Sequence, residues 1–299
     1  DRRRHYTFFQ LTSKNKNMTP TQAQIGQFVA DLNATTQREV IRISLSLADN
    51  LPLTNSKFGG VPYIPQGGAL PTSVDGKPLF MLAQINCEQL PENTLYPQKG
   101  LLQFWIAATE APLYGLDYEA PCSNDFKRVI YYPTFGEALP IDDFINDYTF
   151  DDENLPFNSK RQFALHFKKD TESISLEERA ATQLFFEKWN ESFSTHITTI
   201  DEFFDEVPDD ICEEINAYLL KEPTGHKIGG YPYFIEYDPR EENDPHTFLL
   251  LQIDIDNIEG EEICWGNLGG IANFFISSED LDNCKFDNVF FHWEDNYQG

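Results

Sequence analysis

The sequence predicts an α+β fold in which a β-rich unit occurs twice in tandem and packs as one body, with helices before the first copy and between the two. Three observations predict it. KFGGVPYI at Lys57–Ile64 returns as KIGGYPYF at Lys227–Phe234. Further blocks follow each copy in the same order. The chain between the copies changes from strand-like alternation to acid-rich helical patterning.

Residues 1–56 read as an N-terminal helix and strand. In the first helix Thr19 is placed to cap, Pro20 suits the first turn and Gln22 completes a T-x-x-Q box. Ile25, Phe28, Val29 and Leu32 then make one apolar face. The following VIRISLSLADN alternates Ile41, Ile43, Leu45 and Leu47 with polar neighbours, as a half-buried strand does.

Residues 57–136 form the first β-rich copy and 227–299 the second. PLFMLAQIN (Pro78–Asn86) matches TFLLLQID (Thr247–Asp254), which sets Gln84 opposite Gln252. GLLQFWI (Gly100–Ile106) matches GIANFFI (Gly270–Ile276), and FKRVIYY (Phe126–Tyr132) matches FDNVFFH (Phe286–His292). Each copy opens on a Gly-Gly turn, where positive φ is allowed, followed by a Pro that fixes the exit. The continuous apolar runs suit strands covered on both faces. Within them Gln84 and Gln252 are expected to tie a neighbouring strand or loop, because a buried amide needs partners. Trp105, Tyr131, Tyr132, Phe274, Phe275 and Trp293 are expected in the core.

Residues 137–226 are an acidic, mainly helical connection. QFALHF (Gln162–Phe167) alternates like a strand. An S-x-x-E box at Ser175 and Glu178 then opens a helix with Ala180, Leu184 and Phe185 on its apolar side. Two shorter helices follow, broken at Pro208, the second carrying Ile211, Ile215, Tyr218 and Leu219 on one face.

The net charge of −27 is unevenly distributed. Residues 1–136 carry 11 acids against 12 bases, 137–222 carry 22 against 7, and 223–299 carry 16 against 3. A salt-adapted protein would be acidic throughout. This field repels nucleic acid and anionic membranes and attracts basic partners. No apolar run approaches the roughly 20 residues of a membrane span, and the basic stretch DRRRHYTFFQLTSKNKN, with no apolar run behind it, is not expected to be a secretory signal.

Catalytic signatures are missing. Five scattered cysteines (Cys87, Cys122, Cys212, Cys264, Cys284) without C-x-x-C read as reduced, buried thiols. With the histidines at positions 5, 166, 196, 226, 246 and 292 a Cys–His pair is conceivable, but no local motif marks one. No G-x-S-x-G, H-E-x-x-H or phosphate loop occurs. DIDNIEGEE at Asp254–Glu262 fails as a calcium loop because Ile258 occupies a ligand position, so Asp254 and Asp256 are expected to project into solvent. The expectation is a non-enzymatic protein with no cofactor and no metal.

KIGGYPYF, FLLLQIDID, WGNLGGIANFFIS and FDNVFFHWE, with GGVPYIPQG and PLFMLAQINCEQLP in the first half, resemble the YwqG-like family of bacterial proteins, over nearly the whole chain from about Arg38. The resemblance implies an α+β fold built by duplication. It brings no catalytic residues, and Asn267 stands where the family's WGD-x-G element carries Asp. Similar proteins occur beside secreted toxins, which implies an immunity role by analogy. Together with the charge, this gives an expected function: a cytoplasmic protein that binds and neutralises a basic toxin, a nuclease being one candidate, without contacting nucleic acid or membrane itself. The docking patch is expected at Asp201, Glu202, Asp205, Glu206, Asp209, Asp210, Glu213 and Glu214, which exceed what helix N-termini use. The alternative is a small-ligand or peptide binder using the cleft between the copies.

Overall fold

The computed structural model describes residues 20–219 and 223–295. These fall into two units. Described residues up to 37 join 173–219 in a helical unit, while 38–172 and 223–295 form a β-sheet unit.

In the helical unit Thr21 caps α1 (Gln22–Thr36). Its hydroxyl accepts from Gln24 N at 3.4 Å and its own N–H donates to Gln24 Oε1 at 2.9 Å. The capping box is thus two residues downstream of the expected one, in a stretch, TPTQAQ, that spells T-x-x-Q twice. Pro20 precedes the cap, and Thr19 lies outside the described residues. The apolar face is as expected, with Ile25, Phe28, Val29 and Leu32 buried.

The second helix corrects the sequence reading more sharply. α2 spans Arg179–Phe193, later than a box at Ser175 requires, and Ser175 Oγ instead accepts from Glu177 N at 3.4 Å. It buries Ala181, Phe185, Phe186 and Trp189, leaving Ala180 exposed and Leu184 only half-buried. The face rotates toward its largest rings. Phe28 meets Phe185 at 5.8 Å and Trp189 at 5.4 Å between centroids, and Trp189 meets Phe203 at 5.0 Å. Such edge-on pairs add about 1 kcal/mol each beyond area burial, more than an Ala or Leu at the same place supplies. α3 (Ile200–Glu206) and α4 (Asp209–Leu219) break at Pro208 as predicted. Ile211 and Ile215 are buried, and the side chains of Tyr218 and Leu219 lie outside the description.

The β unit is built on one ten-stranded antiparallel sheet. In chain order its strands are β1 (Arg38–Leu47), β2 (Lys57–Gly59), β3 (Phe80–Asn86), β4 (Leu101–Ile106), β5 (Lys127–Tyr132), β6 (Gln162–Glu172), β7 (Lys227–Gly229), β8 (Phe248–Asp254), β11 (Gly270–Ile276) and β12 (Phe290–Asp295). A hairpin of β9 (Asp256–Ile258) and β10 (Glu261–Ile263) stands apart, and α5 (Ser278–Asp282) links β11 to β12. The spatial order is β12-β11-β8-β7-β1-β6-β2-β3-β4-β5. Outward from the centre, β2-β3-β4-β5 on one side and β7-β8-β11-β12 on the other follow the same sequence of short, buried, buried and outer strands.

The pairing at the centre is crossed. β1, which leads into the first half, pairs with β7 of the second, and β6, which leads into the second, pairs with β2 of the first. The Gly-Gly turns make this contact. Gly60 N donates to Arg161 O at 3.1 Å and Gly230 N to Glu39 O at 3.0 Å. Gly59, at φ +64°, lets the turn approach so closely that a Cβ would stand 2.6 Å from Arg161 O.

The glutamines tie loops, as expected. Gln84 Oε1 accepts from Tyr63 N, and its amide donates to the Leu53 and Asn55 carbonyls at 2.9 and 2.8 Å. Gln252 Oε1 accepts from Tyr233 N, and its amide donates to the Pro223 and Gly225 carbonyls, both at 2.9 Å. On the opposite face the two halves meet in one core, where Phe104 lies 5.0 Å from Phe274 and Tyr114 4.9 Å from Trp293. Trp105, Phe274, Phe275 and Trp293 are buried as predicted, and Tyr131 and Tyr132 are half-buried.

The last sequence match is off by two residues. The register that pairs Leu101 with Tyr132 pairs Ile271 with Glu294, so Glu294 and not His292 occupies the place of Tyr132. A shift of two keeps every side chain on its face, so hydrophobic alternation cannot detect it.

Candidate functional site

Two loops of the β unit converge beside β12. The β4–β5 loop carries Cys122, and the β7–β8 loop carries Asp244 and His246. The first is held on both sides of the thiol: Phe291 N donates to Pro121 O at 3.1 Å, and the Lys127 ammonium donates to Cys122 O at 3.2 Å. The second is held by a buried fork. Arg240 Nε and Nη2 donate to Asp238 at 2.8 and 2.7 Å, and its Nη1 donates to His246 O at 2.9 Å. Its guanidinium also lies 4.1 Å from the centre of the Phe275 ring.

With both loops fixed, Cys122 Sγ lies 3.6 Å from His246 Nε2, and His246 Nδ1 lies 2.7 Å from Asp244 Oδ1. The same carboxylate oxygen accepts from His246 N at 2.8 Å, which sets the imidazole's direction. His246 is buried against Phe290, while Cys122 is half-buried against the cluster of Phe234, Leu249, Phe275 and Phe290. The hydrogen bond to Cys122, aided by that to Asp244, raises the imidazole to about 9 against the opposing effect of burial.

Cys122 and Asp244 open onto a cleft of about 670 Å³ between the two halves. The first half contributes Tyr118, Glu119 and Pro121 to it, and the second Glu236, Tyr237, Glu241, Trp293, Glu294 and Asp295. Among the described residues no Lys or Arg lines it. Tyr118 and Tyr237 stand 71% and 66% exposed beside it. Part of its acidity is structurally engaged, since Glu294 accepts from Ile235 N and Glu236 N and Asp295 from Asn267 N. Glu119, Glu236 and Glu241 are exposed. An acidic, aromatic-rimmed cleft of this kind suits a cation with an apolar stem.

The other sites expected from sequence are placed as follows. Asp201, Glu202, Asp205, Glu206, Asp209, Asp210 and Glu213 are exposed on α3 and α4, and Glu214 is half-buried. Glu202 is occupied in a capping box with Thr199. Asp254 does not project into solvent. It is buried at the end of β8, accepting from Gly225 N at 2.7 Å, while His226 bridges Asp254 N and the Asp256 carboxylate. Only Cys87 and Cys212 are buried; Cys122 and Cys264 are half-buried and Cys284 is exposed, all five being free thiols. Among the described residues no group of three or more His, Cys, Asp or Glu is placed to hold a metal ion. No helix of the described chain is long and apolar enough to cross a membrane.

Residues 56–294 match the family model described as Domain of unknown function (DUF1963). The chain belongs to the DUF1963 family. This is the family that the YwqG-like resemblance implied. A search of curated proteins finds no match to this DUF1963 chain. The matched span includes both converging loops, every cleft residue but Asp295, and β2 through all but the last residue of β12. It also runs through the helical connection, so the acidic patch and the cleft belong to one family unit.

Proposed function

We propose that this DUF1963 protein is an acidic binding protein whose partner is basic, and that the cleft between its two halves receives a cationic side chain of that partner. The observation that carries this reading is the cleft itself: about 670 Å³, lined by Glu119, Glu236, Glu241, Asp244, Glu294 and Asp295, with no Lys or Arg among the described residues. The matching strand orders of the halves support their origin by tandem duplication, which makes this junction a natural site for binding.

A basic secreted toxin neutralised in a bacterial cytoplasm fits such a site. The exposed carboxylates of Asp201 through Glu213 supply a second surface that steers such a partner, since exposed charge acts mainly on association rate and buried anchors on dissociation. The small-ligand reading differs in needing only the cleft.

The test is binding of the protein encoded by a neighbouring toxin-like gene, measured by kinetics at low and high salt. Reversing Asp201, Asp205, Asp209 and Asp210 to Lys is expected to slow association and flatten its salt dependence. Reversing Glu236 and Glu241 is expected to speed dissociation. Binding of a free arginine or lysine ester in the cleft, with no binding of any such protein, supports the small-ligand reading. Binding indifferent to salt and to both sets of reversals removes the proposal.

A further inference from the structure

We propose that Cys122, His246 and Asp244 form a nucleophilic thiol site that takes acyl groups from a cationic substrate held in the junction cleft. The arrangement has the three parts such chemistry requires. A thiol opens on a cavity, an imidazole lies within reach of it, and a carboxylate fixes that imidazole through its second nitrogen. The distances are 3.6 Å and 2.7 Å, and the looser thiol contact is of the kind that closes when substrate binds.

The thiol and imidazole are held in place from several elements. The thiol faces the His246 imidazole from one loop, the Lys127 ammonium reaches its backbone carbonyl from β5, and Arg240 donates to the carbonyl of His246. Asp244 and Phe290 complete the ring's environment. Asp244, Glu236, Glu241 and Glu294 face the same thiol from the cleft, so it is the contact with His246, and not the net charge, that prepares it. The hydrogen bonds to Cys122 and Asp244 raise the imidazole and place it to supply the proton a leaving group needs. A purely structural Cys in the cluster of Phe234, Leu249, Phe275 and Phe290 would need neither His246 nor Asp244.

The step balances with water as the second reactant. Cys122 Sγ bonds to the carbonyl carbon of an ester or amide, and His246 delivers its proton to the departing oxygen or nitrogen as that bond breaks. Water then adds to the thioester while His246 takes one of its protons. The S–C bond breaks, releasing the acid and returning the thiol–imidazole pair. The cationic preference rests on the cleft reading above; the reactive thiol does not.

The experiment uses the intact protein with iodoacetamide, a neutral reagent, and follows each cysteine by peptide mass. Cys284, the exposed thiol, is the internal standard. Cys122 is expected to alkylate at least tenfold faster than Cys284 at pH 7. His246→Gln and Asp244→Asn are expected to abolish or weaken that advantage. Equal rates at Cys122 and Cys284, seen in the unmodified protein without any variant, overturn the proposal. So does an unchanged Cys122 rate in a folded His246→Gln protein. A second arm uses p-nitrophenyl esters of N-blocked lysine and N-blocked glutamate. The expected result is a burst of one equivalent of p-nitrophenolate from the lysine ester followed by slower turnover, an adduct on Cys122 in samples acid-quenched during the burst, and neither with Cys122→Ser. Equal adducts from both esters sustain the thiol site and remove its cationic preference; no adduct from either removes the acyl chemistry.

Discussion

Two lysines at corresponding places carry opposite consequences. Lys57 and Lys227 each open a short strand, and both are buried, at 1% and 0% exposure. Lys227 Nζ is fully engaged, with both Glu172 oxygens at 2.9 and 3.0 Å and with Tyr231 O. Lys57 Nζ reaches only Leu53 O, at 3.1 Å. Burial lowers each to about 8. Removing one partner of a buried pair leaves a stranded charge, so Lys227→Met is expected to cost about 3 kcal/mol even though Arg42 still reaches Glu172. Lys57→Met removes a cation with no counter-charge and is expected to be neutral or stabilising by about 1 kcal/mol at pH 7. The pH dependence follows from the lowered value. Between pH 8 and 10.5 the unfolded chain holds more protons at Lys57 than the folded one, so the stability of the unmodified protein rises with pH through that window. The gap between it and Lys57→Met should therefore narrow, as denaturant midpoints at pH 7 and 10 will show. A Lys in the repeated K-x-G-G block was legible in the sequence; which of the two had an acid beside it was not, because Glu172 arrives from a strand 55 residues away. The same holds for Cys122 and His246, 124 residues apart in the chain. The local signal was the Asp244-Pro245-His246 spacing, which lets one carboxylate cap and orient a histidine two residues on.

Strand elements were the most readable part, and the reason is periodicity. β3, β4, β8 and β11 are buried on both faces and appear in the sequence as unbroken apolar runs. The start of α2 and the register of β12 were misread because their alternatives preserve local pattern. A helix face can rotate by one residue toward a larger ring, and a strand can slide by two without changing sides. The Gly-Gly turn is an element whose requirement is testable. At Gly59 a methyl group meets Arg161 O at 2.6 Å, a backbone atom that cannot swing aside, and φ is +64°. At Gly67 φ is +79° but nothing lies within 4 Å. Gly67→Ala is expected to cost about 1 kcal/mol, the left-handed penalty alone. Gly59→Ala adds a clash at the β2–β6 crossing and is expected to cost about 3 kcal/mol. Thermal unfolding of the two variants will separate strain from collision; equal costs would mean the turn moves freely off β6.

At the scale of the molecule the crossed pairing ties the halves together. β1 is completed by β7 and β6 by β2, so neither half closes its own central strands. The shared core of Phe104, Phe274, Tyr114 and Trp293 adds a second bond between them. A cut after Lys160, an exposed residue at a turn just before β6, is therefore expected to give fragments 1–160 and 161–299 that do not fold singly. Expressed together they should copurify and unfold in one transition, with midpoint below that of the intact chain because association replaces a covalent link. Cooperative unfolding of either fragment alone would show that each half is self-sufficient. The order of the blocks made the two halves legible in the sequence, but the crossing was not, since identical blocks fit a side-by-side arrangement equally well.

The buried Lys227–Glu172 bridge has a topological meaning. Glu172 is the last residue of β6, where the chain departs the sheet, and Lys227 is the first of β7, where it returns. Exit and re-entry are thus fastened by one ion pair, like the neck of a drawstring bag. The clasp makes the two ends of the long connection a single fastening, so loosening either strand end loosens the other.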